Sequence, residues 1–156
     1  MSDEAFMRLA IEKCREGIAA GQMPFGAAVV CDGRVVAATH NTVSRDGDPT
    51  AHAEVNAIRE GARALTTIDL SGCEMYSTCE PCPMCLAAIH WSQIDRVVYG
   101  ATIADAAAAG FRELQVDARL LAEMGHSPLR VEGGLLREEC ADLFAQWQAA
   151  GLCGTY

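Results

Sequence analysis

The sequence is short of the features that would place it in a membrane, outside the cell or on a nucleic acid. Its longest apolar runs, such as Ala27 to Cys31, fall far short of the roughly 18 residues that a membrane span needs. The first residues, Met1-Ser2-Asp3-Glu4, are acidic where an export or transit signal would be basic, so neither is expected. Lysine is nearly absent, with Lys13 the single example, and the arginines are scattered rather than grouped in runs that grip phosphate backbones. Basic residues number 12 against 21 acidic ones, a net charge of −9. Because neutralised phosphates supply most non-specific nucleic-acid affinity, no nucleic-acid partner is expected. Aromatic residues make up only 6% of the chain, and Ala106 to Ala109 is the nearest thing to a low-complexity tract.

What is present fits one globular domain. The chain has 156 residues, 51% of them hydrophobic, which is enough for a core at the size of an ordinary domain. Eight cysteines are the conspicuous excess. An even count permits a disulfide framework, but a chain of this length does not need one and shows no export signal. Cys79, Cys82 and Cys85 also crowd too closely for separate loop-closing bridges. A metal site in a reducing, cytoplasmic compartment fits better, with Cys14, Cys31, Cys73, Cys140 and Cys153 read as buried or neutral side chains.

Met7, Ile11, Cys14 and Ile18 mark one face of an amphipathic helix that Gly21 is placed to stop. Residues 25–31 and 34–39 are short apolar runs joined by Asp32-Gly33, a favoured hairpin turn. Asp48 and Pro49 look like the N-cap and first residue of a second helix, roughly 49–64. Strands follow at 74–78, 96–101 and 129–132, with helices from Pro81 and Pro83 to about Ser92, at 114–124 and at 135–150. Residues 104–112 read as a loop or short helix. The order α-β-β-α-β-α-β-α-β-α predicts one α/β domain with helices on both faces of a mixed sheet.

Two segments carry metal-ligand chemistry. His52-Ala53-Glu54 lies near the start of the second helix, and Pro81-Cys82-Pro83-Met84-Cys85 opens the third. Cys82 and Cys85, three apart, point from one face of a helical turn. Two thiolates and one imidazole suit Zn²⁺, and three protein ligands leave a fourth tetrahedral position for water, the mark of a catalytic site. Nearby helix N-termini ease thiolate formation. Glu54, two residues past His52, is placed to move protons beside the metal without ligating it. His-x-Glu followed by Pro-Cys-x-x-Cys is the signature of zinc-dependent nucleobase deaminases. Cys79-x2-Cys82-x2-Cys85 also begins an iron–sulfur run, but Ile89 and His90 stand where the next cysteine and proline belong. A closed structural zinc with Cys79 as fourth ligand is a further alternative. His40, His90 and His126 suggest no role.

With these motifs the chain resembles the cytidine deaminase-like superfamily and, within it, the bacterial guanine deaminases. The resemblance covers nearly the whole chain, through Met23-Pro24-Phe25-Gly26-Ala27, Asn41, Asp48-Pro49-Thr50-Ala51-His52-Ala53-Glu54 and Cys79-Glu80-Pro81-Cys82-Pro83-Met84-Cys85. Many members share these, tRNA adenosine deaminases included. Residues 104–111 (Ala-Asp-Ala-Ala-Ala-Ala-Gly-Phe) look like the guanine deaminase segment, where tRNA enzymes tend to carry Lys-Thr-Gly-Ala. The resemblance implies a three-layer α/β/α domain over 1–156 with a five-stranded mixed sheet, and one Zn²⁺ held by His52, Cys82 and Cys85. It implies Glu54 as proton shuttle, Asn41 bonding the base, Phe25 and Trp91 against its ring, Glu113 accepting from ring N–H groups and Tyr156 closing the pocket. Asp105 reads equally as a turn cap or a ligand contact. It further implies a homodimer, in some guanine deaminases with the C-terminal segment (here about 135–156) exchanged. Residues 151–156 are less charged than such tails. The expected reaction is guanine to xanthine and ammonia. The alternatives are cytosine, an ammeline-like triazine, guanosine or cytidine as substrate, then tRNA adenosine, and outside catalysis a zinc-binding module.

Overall fold

The computed structural model describes residues 1–153. Helix α1 (Asp3–Ala19) begins where Ser2 accepts the Ala5 N–H and two acids occupy the first turn. It buries Met7, Ile11, Cys14 and Ile18 as its spacing requires, and Gly21 (φ +76°) turns the chain out of it. Strands β1 (Gly26–Cys31) and β2 (Arg34–His40) form the expected hairpin, with Asp32 (φ 50°) and Gly33 (φ 69°) both left-handed as a type I′ turn demands. At Gly26 the backbone of β1 lies close against α1. A Cβ there would run into the Ala10 carbonyl oxygen.

Next come α2 (Val43–Asp46), α3 (Ala53–Leu65), β3 (Cys73–Cys79), α4 (Pro83–Trp91) and β4 (Arg96–Ala101). After them follow α5 (Ile103–Ala108), α6 (Ala118–Met124), β5 (Arg130–Gly133) and α7 (Arg137–Ala149). The five strands lie in the order β2-β1-β3-β4-β5. Pairings among the first three are antiparallel and among the last three parallel, so the sheet is mixed as expected. Phe6, Met7, Ile11, Leu143, Phe144 and Trp147 fill the core between α1, α7 and one sheet face. On the opposite face Ala57, Leu86, Ile89 and Ala122 from α3, α4 and α6 pack against Val29, Met75 and Val97. Among the described residues no helix is long and apolar enough to cross a membrane.

Three expectations need correction. The second helix starts at Ala53 rather than Pro49, because the Asp48 carboxylate is taken up by the Thr50 N–H and hydroxyl (2.8 and 2.6 Å) in a tight turn. The helix placed at 114–124 starts only at Ala118, after Asp117 accepts the Leu120 N–H, leaving residues 111–117 without regular structure. Cys31 and Cys73, read as unbonded, are joined by a disulfide. They stand opposite one another on β1 and β3 with Cα atoms 4.3 Å apart, the close cross-strand spacing of non-hydrogen-bonded partners. Cys14 and Cys140 are free and buried, as read, whereas Cys153 is free and exposed.

Candidate metal centre and active site

Strand β3 is where the sheet changes from antiparallel to parallel pairing, and at its carboxyl end chain segments diverge to leave a crevice. Phe25 enters β1 at this end, and the turn after β3 carries Glu80 to Cys82. His52 and Cys82 are the extended N-cap residues of α3 and α4, so both helix mouths open on the same crevice. Pro83 at N1 fixes the start of α4, its missing N–H being one the helix could not use anyway. The Thr39 hydroxyl holds the Ala53 carbonyl at 2.7 Å, tying the α3 mouth to β2.

This convergence brings His52, Cys82 and Cys85 together, their ligand atoms all within 4.8 Å of one another. His52 Nδ1 lies 3.7 Å from Cys82 Sγ and 3.5 Å from Cys85 Sγ. A tetrahedral Zn²⁺ with ordinary bond lengths sets nitrogen and sulfur about 3.6 Å apart, so the donor set fits the ion in both chemistry and spacing. Cys79 is outside the group. It is buried, its Sγ–H points to the Thr102 carbonyl (3.6 Å), and burial pushes its thiol well above the usual range. Neither the four-ligand structural zinc nor the iron–sulfur reading has its extra cysteine here.

Glu54 sits in the first turn of α3, buried beside the metal group. It accepts from the Ser77 hydroxyl (3.2 Å) and the Cys85 thiol (3.5 Å). Burial first, and then the Cys82 charge, raises its carboxyl above the normal range, so it holds a proton more readily than a surface glutamate. Cys82 is lowered to about 4, first by a hydrogen bond from Cys85 and then, against burial, by His52. Cys85 is correspondingly raised by that bond and by burial. His52 is raised although burial, its largest influence, opposes this; the Cys82 hydrogen bond and the Glu54 charge prevail.

Across the crevice stands the segment after α5. Phe111 meets Phe25 edge-on at 5.1 Å between ring centres and also packs on Trp147. Glu113 is half-buried, and burial and then the Cys82 charge raise its carboxyl. Among the described residues its carboxylate meets no hydrogen-bond donor. Phe25, His52, Glu54, Cys82, Phe111 and Glu113 all line one cavity of about 250 Å³. That is below the roughly 300–1,000 Å³ of sites for drug-sized ligands and suits a single small ring system.

The other expected contacts separate. Trp91 does not reach the cavity. It is the last residue of α4, about 12 Å along the helix from Pro83, 80% exposed and edge-on to His90. Asn41 is fully buried behind Phe25, whose carbonyl takes its N–H, and its Oδ1 accepts from the Val43 N–H at 3.1 Å. It is not among the cavity's lining residues. Asp105 is a cap: it accepts from the Thr102 N–H and hydroxyl and pairs with Arg137 at 3.0 Å. Tyr156 lies outside the described residues. Sequence reasoning missed Ser77, Met84, Leu114 and the buried Glu80. Ser77 and Glu80 find their partners far along the chain, Met84 fills an unspecified position of the Pro-Cys-x-x-Cys motif, and Leu114 lies in no motif.

Comparison with known proteins gives the geometry a setting. The family model for the cytidine and deoxycytidylate deaminase zinc-binding region matches residues 1–101. The chain is 47% identical over 112 residues to guanine deaminase from Bacillus subtilis, covering 71% of this chain and 72% of that protein. It is 42% identical over 101 residues to a tRNA-specific adenosine deaminase from Aquifex aeolicus, covering 65% and 67%. A solved guanine deaminase from Nitrosomonas europaea superposes with a TM-score of 0.86 at 32% identity, covering 95% of this chain and 85% of that one.

Proposed function

Starting from the fact that this chain belongs to the cytidine and deoxycytidylate deaminase zinc-binding family and is a zinc-dependent aminohydrolase, we propose that it converts free guanine and water to xanthine and ammonia. The observation that carries the substrate is Glu113, a half-buried carboxylate facing the metal group across a cavity sized for one small ring system. Free guanine has two ring N–H donors besides its reacting amino group. Adenine and cytosine have one, and a nucleoside loses the one that bears the sugar. A buried acceptor discriminates strongly in favour of a ligand that can satisfy it.

When bound by His52, Cys82 and Cys85, zinc lowers the pKa of a water and polarises the site. Phe25 and Phe111 hold the flat base from its edges and exclude bulk water. Glu54 takes a proton from the attacking water and delivers it to the amino nitrogen, so that oxygen bonds to the ring carbon as the carbon–nitrogen bond breaks and ammonia leaves. Ser77, bonded to the Glu54 carboxylate, keeps it aimed inward.

Ammonia release from guanine, adenine, cytosine, ammeline, guanosine and cytidine tests this directly. Guanine should be turned over fastest, and no turnover of guanine beside robust turnover of another compound would overturn the substrate. A second reading, tRNA adenosine, is favoured by the Aquifex relative and opposed by the net charge of −9. Salt-sensitive binding and deamination of tRNA would establish it. A zinc-binding module without catalysis requires one bound zinc and no turnover of any of these. The expected homodimer has support in an apolar stripe, Met84, Ala87 and Trp91 along α4 with Leu120 and Met124 on α6, all exposed in the single chain. Light scattering should give twice the chain mass, and Trp91→Ser should shift it towards the monomer.

A further inference from the structure

Glu80 is a carboxylate with no part in metal binding, yet it is buried between the two halves of the site. It leaves β3 two residues before Cys82, and its own N–H bonds the Ala101 carbonyl at the end of β4. Its Oε2 accepts the Ile103 N–H at 3.0 Å, and its Oε1 accepts the Ala118 N–H at 2.9 Å. Ile103 and Ala118 are the first residues of α5 and α6. One carboxylate therefore caps two helix starts at once, and those helices are the two ends from which residues 109–117 are hung. That stretch has no regular structure of its own, and it carries Phe111 and Glu113 into the cavity. The arm that ends at the thiolate turn thus fixes both anchor points of the opposite wall.

We propose that Glu80 is a positioning residue that sets the distance between the metal-ligand turn and the substrate-recognition segment, and through Glu113 determines which base is accepted. The inference rests on the deaminase reading but not on guanine as the substrate. Its physical basis is the cost of a buried N–H without an acceptor. Glu80→Gln keeps the shape but turns an amide NH2 towards one of the two N–H donors, so one anchor is released while the other holds. Glu113 then loses its fixed place opposite the metal, whereas His52, Cys82, Cys85 and Glu54 keep theirs.

The experiment takes the zinc-loaded wild type and Glu80→Gln and measures kcat and KM for whichever base the wild type turns over fastest, and for the next best. The expected result is a KM raised by about tenfold to hundredfold, as for one opposed buried hydrogen bond. Zinc content should be unchanged, kcat much less affected, and the ratio of kcat/KM between the two bases compressed. Amide exchange at Ile103 or Ala118 should accelerate in the same variant. Arg137→Ala is the control, since it loosens α5 from the outer side by removing the partner of Asp105, and it should leave KM and selectivity as they were. Loss of zinc in Glu80→Gln, unchanged KM and selectivity despite faster exchange, or an equal rise in KM from Arg137→Ala would each overturn the proposal. If Glu80→Gln does not fold, Glu80→Asp keeps both acceptor oxygens on a shorter arm and is read by the same criteria. A wild type that ignores guanine but deaminates another base would sink the guanine reading and leave this test intact.

Discussion

The two walls of the cavity are built in opposite ways. The metal wall stands on helix mouths and a strand end: His52 and Cys82 hold the N-cap positions of α3 and α4, and Glu54 and Cys85 lie in the first turns. Its members bond one another, and Ser77 fixes the carboxylate from within the sheet. The facing wall, residues 111–114, has no ladder or helix behind it and depends on Glu80, some thirty residues earlier, for both its anchor points. The family match divides at nearly the same place, covering 1–101 and stopping at the end of β4. The metal-binding part lies within the matched region, and the facing segment is hung separately.

The sharpest break between the walls is on the metal side. Cys85→Ala should remove the bound zinc, seen by metal analysis, and with it all measurable ammonia release. Next is Glu54→Gln, which should retain about one zinc per chain and lower kcat by about 10²- to 10⁴-fold, the usual contribution of a positioned acid–base group. A fully active Glu54→Gln enzyme would refute the proton-shuttle role. On the other wall, Glu113→Gln should leave zinc in place and raise KM for the preferred base by about tenfold to hundredfold with a smaller change in kcat. An effect on kcat as large as that of Glu54→Gln would erase the distinction drawn between the walls.

The smallest effect concerns the outer brace of α5. Arg137 is the main cause that holds the Asp105 carboxyl down to about 2, even against burial. A carboxylate depressed in the folded state stabilises above its unfolded pKa, and the benefit is lost as pH falls through the folded value. Arg137 is largely exposed, so solvent screening keeps the contribution of the pair small. Denaturant midpoints should therefore show wild type slightly more stable than Arg137→Ala at about pH 6, with the gap closing towards about pH 2. A gap that persisted in strong acid would show that packing of the guanidinium, not its charge, is the cause.

Legibility in the sequence follows the same division. The ligand triad was readable because each segment carries its own pattern, and the α1 face and Asp32-Gly33 turn were readable because their causes lie within a few residues. The start of α3 was misread because Asp48 can cap a helix or close a turn on Thr50, and its local sequence suits both. Trp91 is expected at the base only through the resemblance, which says nothing of which way the end of α4 faces, and in the single chain it lies outside the cavity. The Cys31–Cys73 bond and the double cap by Glu80 had no local signal, since their partners lie 42, 23 and 38 residues away.

Reaction class and metal were legible in the residues alone, because imidazole, thiolates and carboxylate at those spacings suit a zinc centre with an open position. The α/β order of elements was legible too, through periodicity and turn residues that act over short range. Which side chains share the cavity depends instead on how the strands and helices pack in three dimensions. The sheet order β2-β1-β3-β4-β5 brings Phe25, the turn after β3 and the segment after α5 to one end of the central strands. Hydrogen bonds over long separations then fix distances that no spacing along the chain can set.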